Sequence, residues 1–228
     1  MSNSMKYTTL KVLAIGAVAL CASAAASAQT AGSWLVAAGY NNIAPQGTSD
    51  ALSAPSIVNS TTKVGSDGQP ILNIAYMFTD NISAEIGLGT MYTHDLYGAG
   101  ALQGAGKLGS VKQLPPTAWV QYRFLEANAP FRPYVGLGAT YAIFRDEQGS
   151  GTLTAISNPG GPPTTFTVDN KWGVSPQIGV TWAFNGKWFA DLSVTKTYIT
   201  TTVHLSTGQS ADAPLNPIAT AISVGYRF

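Results

Sequence analysis

Charge is scarce in this chain. Asp, Glu, Lys and Arg make up 10% of its 228 residues, against about 25% in an ordinary soluble domain. What charge exists is balanced, 12 basic against 11 acidic residues, so there is no positive field to hold nucleic acid. Cysteine is nearly absent: Cys21 is the only one, too few for a disulfide scaffold or a thiolate metal site. Long apolar runs are missing too. Beyond residue 28 no segment approaches the ~20 consecutive apolar residues of a membrane helix. Disorder is excluded from the other side, because hydrophobic residues reach 45% and the chain holds 10 Tyr, 8 Phe and 5 Trp, whereas disorder wants high charge and few aromatics. The remaining class is a folded chain that does without most surface charge.

The first residues carry an export pattern. Lys6 and Lys11 precede the apolar segment Val12 to Cys21, and a small-residue stretch ends in Ala26-Ser27-Ala28. A basic n-region, a short h-region and an A-x-A site read as a signal peptide over residues 1–28, cut after Ala28. Leu20 stands where a lipobox needs a small residue, which argues against lipidation of Cys21. Residues 29–228 are then the mature domain, and Cys21 leaves with the leader.

Within that domain the dominant period is two. Trp172, Val174, Pro176, Ile178, Val180, Trp182 and Phe184 alternate with Gly173, Ser175, Gln177, Gly179, Thr181 and Ala183. One face is large and apolar and the other small or polar, which is a strand between two unlike environments. The same alternation recurs around Trp34–Tyr40, Leu72–Phe78, Ile82–Leu88, Ala118–Phe124, Val135–Ile143, Trp188–Val194 and Ile222–Phe228. Eight strands of about ten residues result.

Their connections sort by length. Thr79-Asp80-Asn81, Leu125 to Phe131 and Asn185-Gly186-Lys187 are short turns, and Asn-Gly is a strong hairpin signal. Ala44 to Pro70, Thr93 to Leu114, Asp146 to Asn170 and Leu205 to Pro217 are long and rich in Gly, Ser, Thr and Pro. Strict alternation of short and long connections, with an even strand number, predicts an all-β, eight-stranded antiparallel transmembrane β-barrel with short periplasmic turns and long extracellular loops. Closure satisfies every backbone group inside lipid, which an open sheet cannot do. Aromatics bracket the strands: Tyr76, Phe78, Tyr122, Phe124, Phe184, Trp188, Tyr226 and Phe228 near the short turns, and Tyr92, Tyr141, Phe144, Trp172 and Tyr198 near the long loops. Two girdles are expected.

Several motifs carry a family resemblance. Leu114-Pro115-Pro116, Gln121-Tyr122-Arg123-Phe124 and Phe131-Arg132-Pro133-Tyr134-Val135-Gly136, with Tyr76-Met77-Phe78-Thr79-Asp80-Asn81, His94-Asp95, Trp172-Gly173 and the ending Gly225-Tyr226-Arg227-Phe228, resemble the OmpW family of bacterial outer-membrane proteins over residues 33–228. The resemblance implies an eight-stranded barrel in the outer membrane of a Gram-negative bacterium, and passive uptake of small hydrophobic molecules. Its partners would be outer-membrane lipid, the barrel assembly machinery and those solutes. In described members, strands 3 and 7 carry bulky apolar side chains on the inner wall. The matching positions here are Gly87 and Thr195, a departure. The terminal Phe228, with Tyr226 before it, looks like the assembly signal of such barrels.

Eight strands enclose room for side chains or one small ligand. The inward set predicts lumen residues Gly87, Trp119, Thr140, Phe144 and Thr195. It also predicts a polar plug of Glu85, Arg123, Asp191 and Arg227, expected to pair across the lumen because bare charges there are costly. The half nearer the long loops holds fewer charges, which suggests an apolar pocket opening outward or sideways. No catalytic residue, cofactor or metal site is expected. His204-Leu205-Ser206 has the spacing of a lipid A deacylase, with Asp212 near, but two-residue patterns arise often by chance. His94-Asp95 is an isolated pair, and no Gly-rich phosphate loop follows a strand. The alternative to transport is a structural or surface-interaction barrel, its loops meeting phage, bacteriocin or host partners.

Overall fold

The computed structural model describes residues 29–228; the expected signal peptide lies outside the described residues. The strands are β1 (Trp34–Ala44), β2 (Ser60–Val64), β3 (Asp67–Met77), β4 (Ile82–Gly89), β5 (Tyr92–Gly100), β6 (Lys107–Leu114), β7 (Thr117–Arg123), β8 (Phe131–Gly149), β9 (Phe166–Val168), β10 (Lys171–Asn185), β11 (Trp188–Lys196), β12 (Thr200–Leu205), β13 (Ser210–Pro214) and β14 (Ile218–Arg227). One short helix, α1 (Gly151–Ser157), follows β8. Its first turn is capped by Ser150, whose Oγ accepts from the Leu153 N–H, as a Ser at the N-cap should.

Eight of these strands close a ring. Hydrogen-bonded neighbours run β10-β11-β14-β1-β3-β4-β7-β8, and β8 pairs back onto β10 through Arg132↔Thr181 and Ser175↔Gly138. Every pairing is antiparallel. The first and last barrel strands meet at the β1–β14 seam, where Trp34 and Phe228 exchange backbone hydrogen bonds.

The alternation sorts side chains as expected. Outward positions such as Leu137, Ile178, Ile222 and Val120 are exposed apolar groups, and inward partners such as Ser83, Ser175, Gln121 and Arg123 are buried. This inversion suits a wall that meets lipid. At the short-turn end, aromatic contacts run along the rim: Trp34–Tyr76–Phe78, Tyr122–Phe124, Phe131–Trp182–Phe184 and Trp188–Tyr226–Phe228, with centroids 4.9 to 5.7 Å apart. The opposite rim carries Tyr141 on Trp172 at 4.8 Å, with Tyr198 and Tyr40 exposed. Tyr92 and Phe144 do not belong to it. Both are buried, because β5 and the end of β8 rise above the lipid-facing wall and turn these side chains inward.

The long connections differ most from expectation. They are not open loops. The first three contain β2, β5, β6, α1 and β9, and the fourth contains β13, which pairs with β12. The 19-residue β8 continues past the barrel and carries β6, β5 and β2 as an added sheet. The sheet β13-β12-β9 stands beside it. The main buried apolar cluster lies here, around Leu108, Val111, Phe144, Phe166, Leu205 and Leu215. Part of its signal is in the sequence: Ala211, Ala213 and Leu215 alternate after a turn-rich stretch, whereas Leu108 and Val111 stand three apart across the register shift of β6. Low hydrophobicity and many Gly and Ser residues hide it.

Candidate functional site

The lumen is built in polar layers against one wall. Nearest the short turns, Arg123 donates to three acceptors: Nη1 to Thr181 Oγ1 at 2.8 Å, Nη2 to Gln121 Oε1 at 2.8 Å and Nε to Ser83 Oγ at 3.3 Å. Thr181 and Tyr134 donate in turn to Asp191, at 2.9 and 3.0 Å. The guanidinium also lies 4.8 Å over the Tyr134 ring. Arg123 and Asp191 are thus joined through Thr181. Among the described residues no ion pair links Glu85, Arg123 and Asp191 directly. Glu85 lines the same small space as Arg123 and Asp191, and its Oε1 is buried with no hydrogen-bond partner. Arg227 sits lower, two inward positions beyond Ser223, the register partner of Asp191. It donates to Gly186 O in the turn. Opposite this network, Leu35, Ala37, Ala75, Met77 and Phe189 form an apolar cluster. Together the two sides fill the end of the barrel, as narrow barrels are filled.

Above it, Gln121 donates to Gln177 at 2.9 Å. Higher still, hydroxyls link Thr117, Thr140, Ser175 and Thr197 at 2.8, 2.6 and 2.9 Å. Each of these four hydroxyls has a partner, which removes the desolvation penalty of an unmade bond. Beside this ladder lies a chamber of about 790 Å³, mouth included, lined by Gly87, Trp119, Thr140 and Thr195 among others. Phe144, the fifth expected pocket residue, lines a different space. Over the chamber stands an extracellular vestibule of about 1140 Å³, its opening included, walled by Leu96, Leu108, Val111, Phe144, Phe166 and Leu205. Gln113 lines both spaces.

The glycines of the lumen have a packing reason. Trp119, Tyr134 and Phe189 are the register partners of Gly138, Gly179 and Gly225. A Cβ on those glycines would lie 2.4, 2.4 and 2.2 Å from the facing ring. Each large ring occupies the room its cross-strand neighbour leaves empty.

The barrel wall has a break in its ladder on the β4–β7 side. β4 pairs with β7 as far as Gly87↔Thr117, and β5 resumes against β6 at Tyr92↔Gln113. Between these pairs Leu88 to Met91 face Leu114, Pro115 and Pro116 without ladder bonds. Two consecutive prolines have no N–H to donate. Gly87, Leu88, Gly89, Pro115 and Thr117 all line the chamber, so the break stands at its side. The Leu-Pro-Pro motif of the sequence therefore marks the break in the ladder.

Above the lipid-facing wall, His94 is buried between Gly65 and Gln113. Its Nδ1 lies 2.8 Å from Gly65 O and its Nε2 3.1 Å from Gln113 Oε1. Both oxygens are acceptors, so the neutral ring, with one N–H, donates to only one of them at a time. Burial, first among the causes, holds its pKa below the usual histidine value, although both hydrogen bonds and the nearby Asp67 and Asp95 pull the other way. Asp95 meets Lys107 at 2.6 Å. His204 lies 3.6 Å from Asp169, Ser206 accepts from the Thr165 N–H, and Asp212 accepts from Thr202. Those three groups are thus each engaged elsewhere, not with one another.

Comparison with known proteins agrees with this architecture. The sequence profile of the OmpW family matches residues 30–228. Outer membrane protein W of Vibrio cholerae is 36% identical over 98% of this chain and its own full length, and that of Escherichia coli is 31% identical over the same spans. Among solved structures, OprG of Pseudomonas aeruginosa superposes with a TM-score of 0.80 at 26% identity, covering 89% of this chain and 98% of its own. The NMR structure of E. coli outer membrane protein W gives 0.56 at 28% identity, covering 88% and 100%. An apolar belt, a closed eight-stranded ring and a full-length match converge: the chain belongs to the OmpW family and is a β-barrel of the bacterial outer membrane.

Proposed function

We propose that this barrel mediates passive uptake of small hydrophobic molecules. The supporting observation is the apolar vestibule of the extracellular extension, standing over the chamber beside the ladder break. A solute leaves the water among Leu96, Val111, Phe144 and Phe166, reaches the chamber past Gln113, and leaves sideways between Leu88–Met91 and Leu114–Pro116 into lipid. The route avoids the layer of Arg123, Asp191 and Glu85, which would cost an apolar solute the desolvation of bonded charges. Burial of apolar area drives the first step and return to hydrocarbon the last, so no energy source is needed. The test compares uptake of a labelled apolar compound by cells lacking the protein and by complemented cells. Faster entry in the complemented cells is expected; equal entry removes the transport reading.

A second reading, a surface-interaction barrel, draws on Ile57 and Val58. They are 52% and 88% exposed in the connection before β2, beyond the lipid-facing wall, where exposed apolar pairs are unusual. Replacing both with Ser would abolish a surface interaction while leaving the barrel wall intact.

A further inference from the structure

Among the described residues, three buried side-chain polar atoms have no hydrogen-bond partner: Ser60 Oγ, Trp119 Nε1 and Glu85 Oε1. Glu85 belongs to the filled end of the barrel. The other two stand on the solute route. Ser60, 2% exposed, lines the vestibule, and Trp119 lines the chamber. Both are O–H or N–H donors, and an indole nitrogen is a donor only. Each sits in a wall whose other polar groups are largely engaged. The hydroxyls of Thr117, Thr140, Ser175 and Thr197 bond one another, and His94 bonds Gly65 and Gln113.

Trp119 is also held in place. Its ring covers Gly138, and Gly87 lies on its other edge, where a Cβ would come 2.9 Å from Cζ3. A rigidly positioned donor with no partner is a recognition element waiting for an acceptor. A pure hydrocarbon in these spaces leaves both donors unmade, and a buried unmade donor is costly. A solute of the same shape carrying one acceptor oxygen would satisfy them in turn. Sites built to bond a polar group discriminate against analogues that lack it far more strongly than apolar pockets discriminate by size.

We propose that the route selects small apolar molecules bearing a hydrogen-bond acceptor, such as a ketone or ester oxygen, over the matching hydrocarbon. The oxygen is taken first by Ser60 Oγ–H in the vestibule and then by Trp119 Nε1–H in the chamber. The inference rests on the uptake reading and names the solute class for it.

The experiment uses the full-length protein in the outer membrane of a deletion strain, with labelled octane and the methyl ketone of the same chain length as probes. The quantity read is the ratio of protein-dependent ketone uptake to protein-dependent octane uptake. In the wild type the ketone is favoured. Trp119→Phe, which keeps a ring over Gly138 and removes the N–H, lowers the ratio about fivefold, the weight of one neutral hydrogen bond; Ser60→Ala lowers it similarly. In micelles, the indole N–H resonance that disappears in Trp119→Phe shifts on adding ketone and not on adding octane. An unchanged ratio in both variants, with an unmoved resonance, overturns the selectivity and leaves the uptake reading standing. Absence of protein-dependent entry for both probes overturns the two together. If Trp119→Phe fails to assemble, Ser60→Ala, which lies in the extracellular extension, carries the comparison alone.

Discussion

The ring of Tyr134 occupies the space that Gly179 leaves open on the next strand: a Cβ at Gly179 would sit 2.4 Å from Tyr134 Cζ and 2.5 Å from its hydroxyl oxygen. The same ring carries the Arg123 guanidinium on its face and donates to Asp191. One glycine thus sets the position of a polar network spanning five strands, β4, β7, β8, β10 and β11. Gly179→Ala is expected to destabilise the barrel by about 1–3 kcal/mol, the usual cost of overpacking. Combined with Tyr134→Ala the cost should be less than additive, since the clash disappears with the ring. Urea unfolding in lipid vesicles, followed by tryptophan fluorescence, measures the coupling. Full additivity would show that the ring yields freely.

Among the described residues, Arg123 is the one cation lining the space that also holds Asp191 and Glu85. Arg123→Ala takes one hydrogen bond from each of Gln121, Ser83 and Thr181 and leaves the buried Asp191 and Glu85 without a compensating charge, so a loss of about 3–5 kcal/mol is expected. Arg123→Lys keeps the charge but cannot present three donors in a fixed fork, and should fall between. The same substitution empties the filled end of the lumen. Ion conductance in planar bilayers should therefore rise in Arg123→Ala over the wild type. Unchanged conductance would mean that the apolar cluster around Met77 and Phe189 closes the barrel by itself.

His94 gives the extracellular extension a pH dependence of defined sign. Burial holds its pKa below the usual value, so the folded hairpin prefers the neutral ring. The unfolded segment takes up a proton near pH 6.5. Stability from this site is complete above that value and falls as the pH drops below it. Limited proteolysis between pH 7 and pH 5, a range set by the same reference value, should cut the β5–β6 hairpin faster at the acid end. His94→Gln should flatten the dependence. Equal dependence in that variant would assign it to another group, such as Asp67, whose pKa is lowered.

Much of the barrel was readable because its two environments differ so sharply. Residues 172–184 alternate large apolar with small or polar side chains, and that contrast exists only where one face meets lipid and the other a narrow interior. Glu85, Arg123 and Asp191 fell together for the same reason: the period of two assigns both face and depth. The assignment of Arg227 to their layer failed because the β11–β14 register, not visible in one sequence, puts it two inward positions beyond Ser223. The extension was hidden because β5, β6 and β12 form in Gly- and Thr-rich chain whose strand propensity is weak alone and becomes sufficient only on the edge of β8 or beside β9 and β13. Tyr92 was read as a girdle residue for the same cause. Above the lipid the meaning of the two faces changes, and an aromatic side chain is better placed inside.

Phe228 is 69% exposed on the outer wall, packed edge-on against Tyr226 at 5.0 Å and bonded through its backbone to Trp34 at the seam. Its removal takes away both the last pair of the closing strand and the terminal aromatic that resembles an assembly signal. Deletion of Phe228 is expected to lower the amount of protein in the outer membrane several-fold. Substitution by Leu keeps the backbone pair and tests the ring alone. Normal levels in both would place assembly recognition elsewhere on β14.

Gly87 leaves open the part of the chamber that lies beside the ladder break. A Cβ there would come 2.9 Å from Trp119 Cζ3 and 3.3 Å from Asn73 Oδ1, so Gly87→Leu is expected to destabilise the barrel by about 1–3 kcal/mol, the usual cost of overpacking. Its added carbons would fill the chamber at the level of the gap. Thr195→Leu would do so from the opposite strand. Each is expected to reduce entry of an apolar solute towards the level of cells lacking the protein, with folded barrel verified by heat-modifiable mobility. If entry persists at equal surface levels in the double variant, the chamber does not lie on the route, and an apolar solute would have to leave the vestibule directly between the strands of the extension.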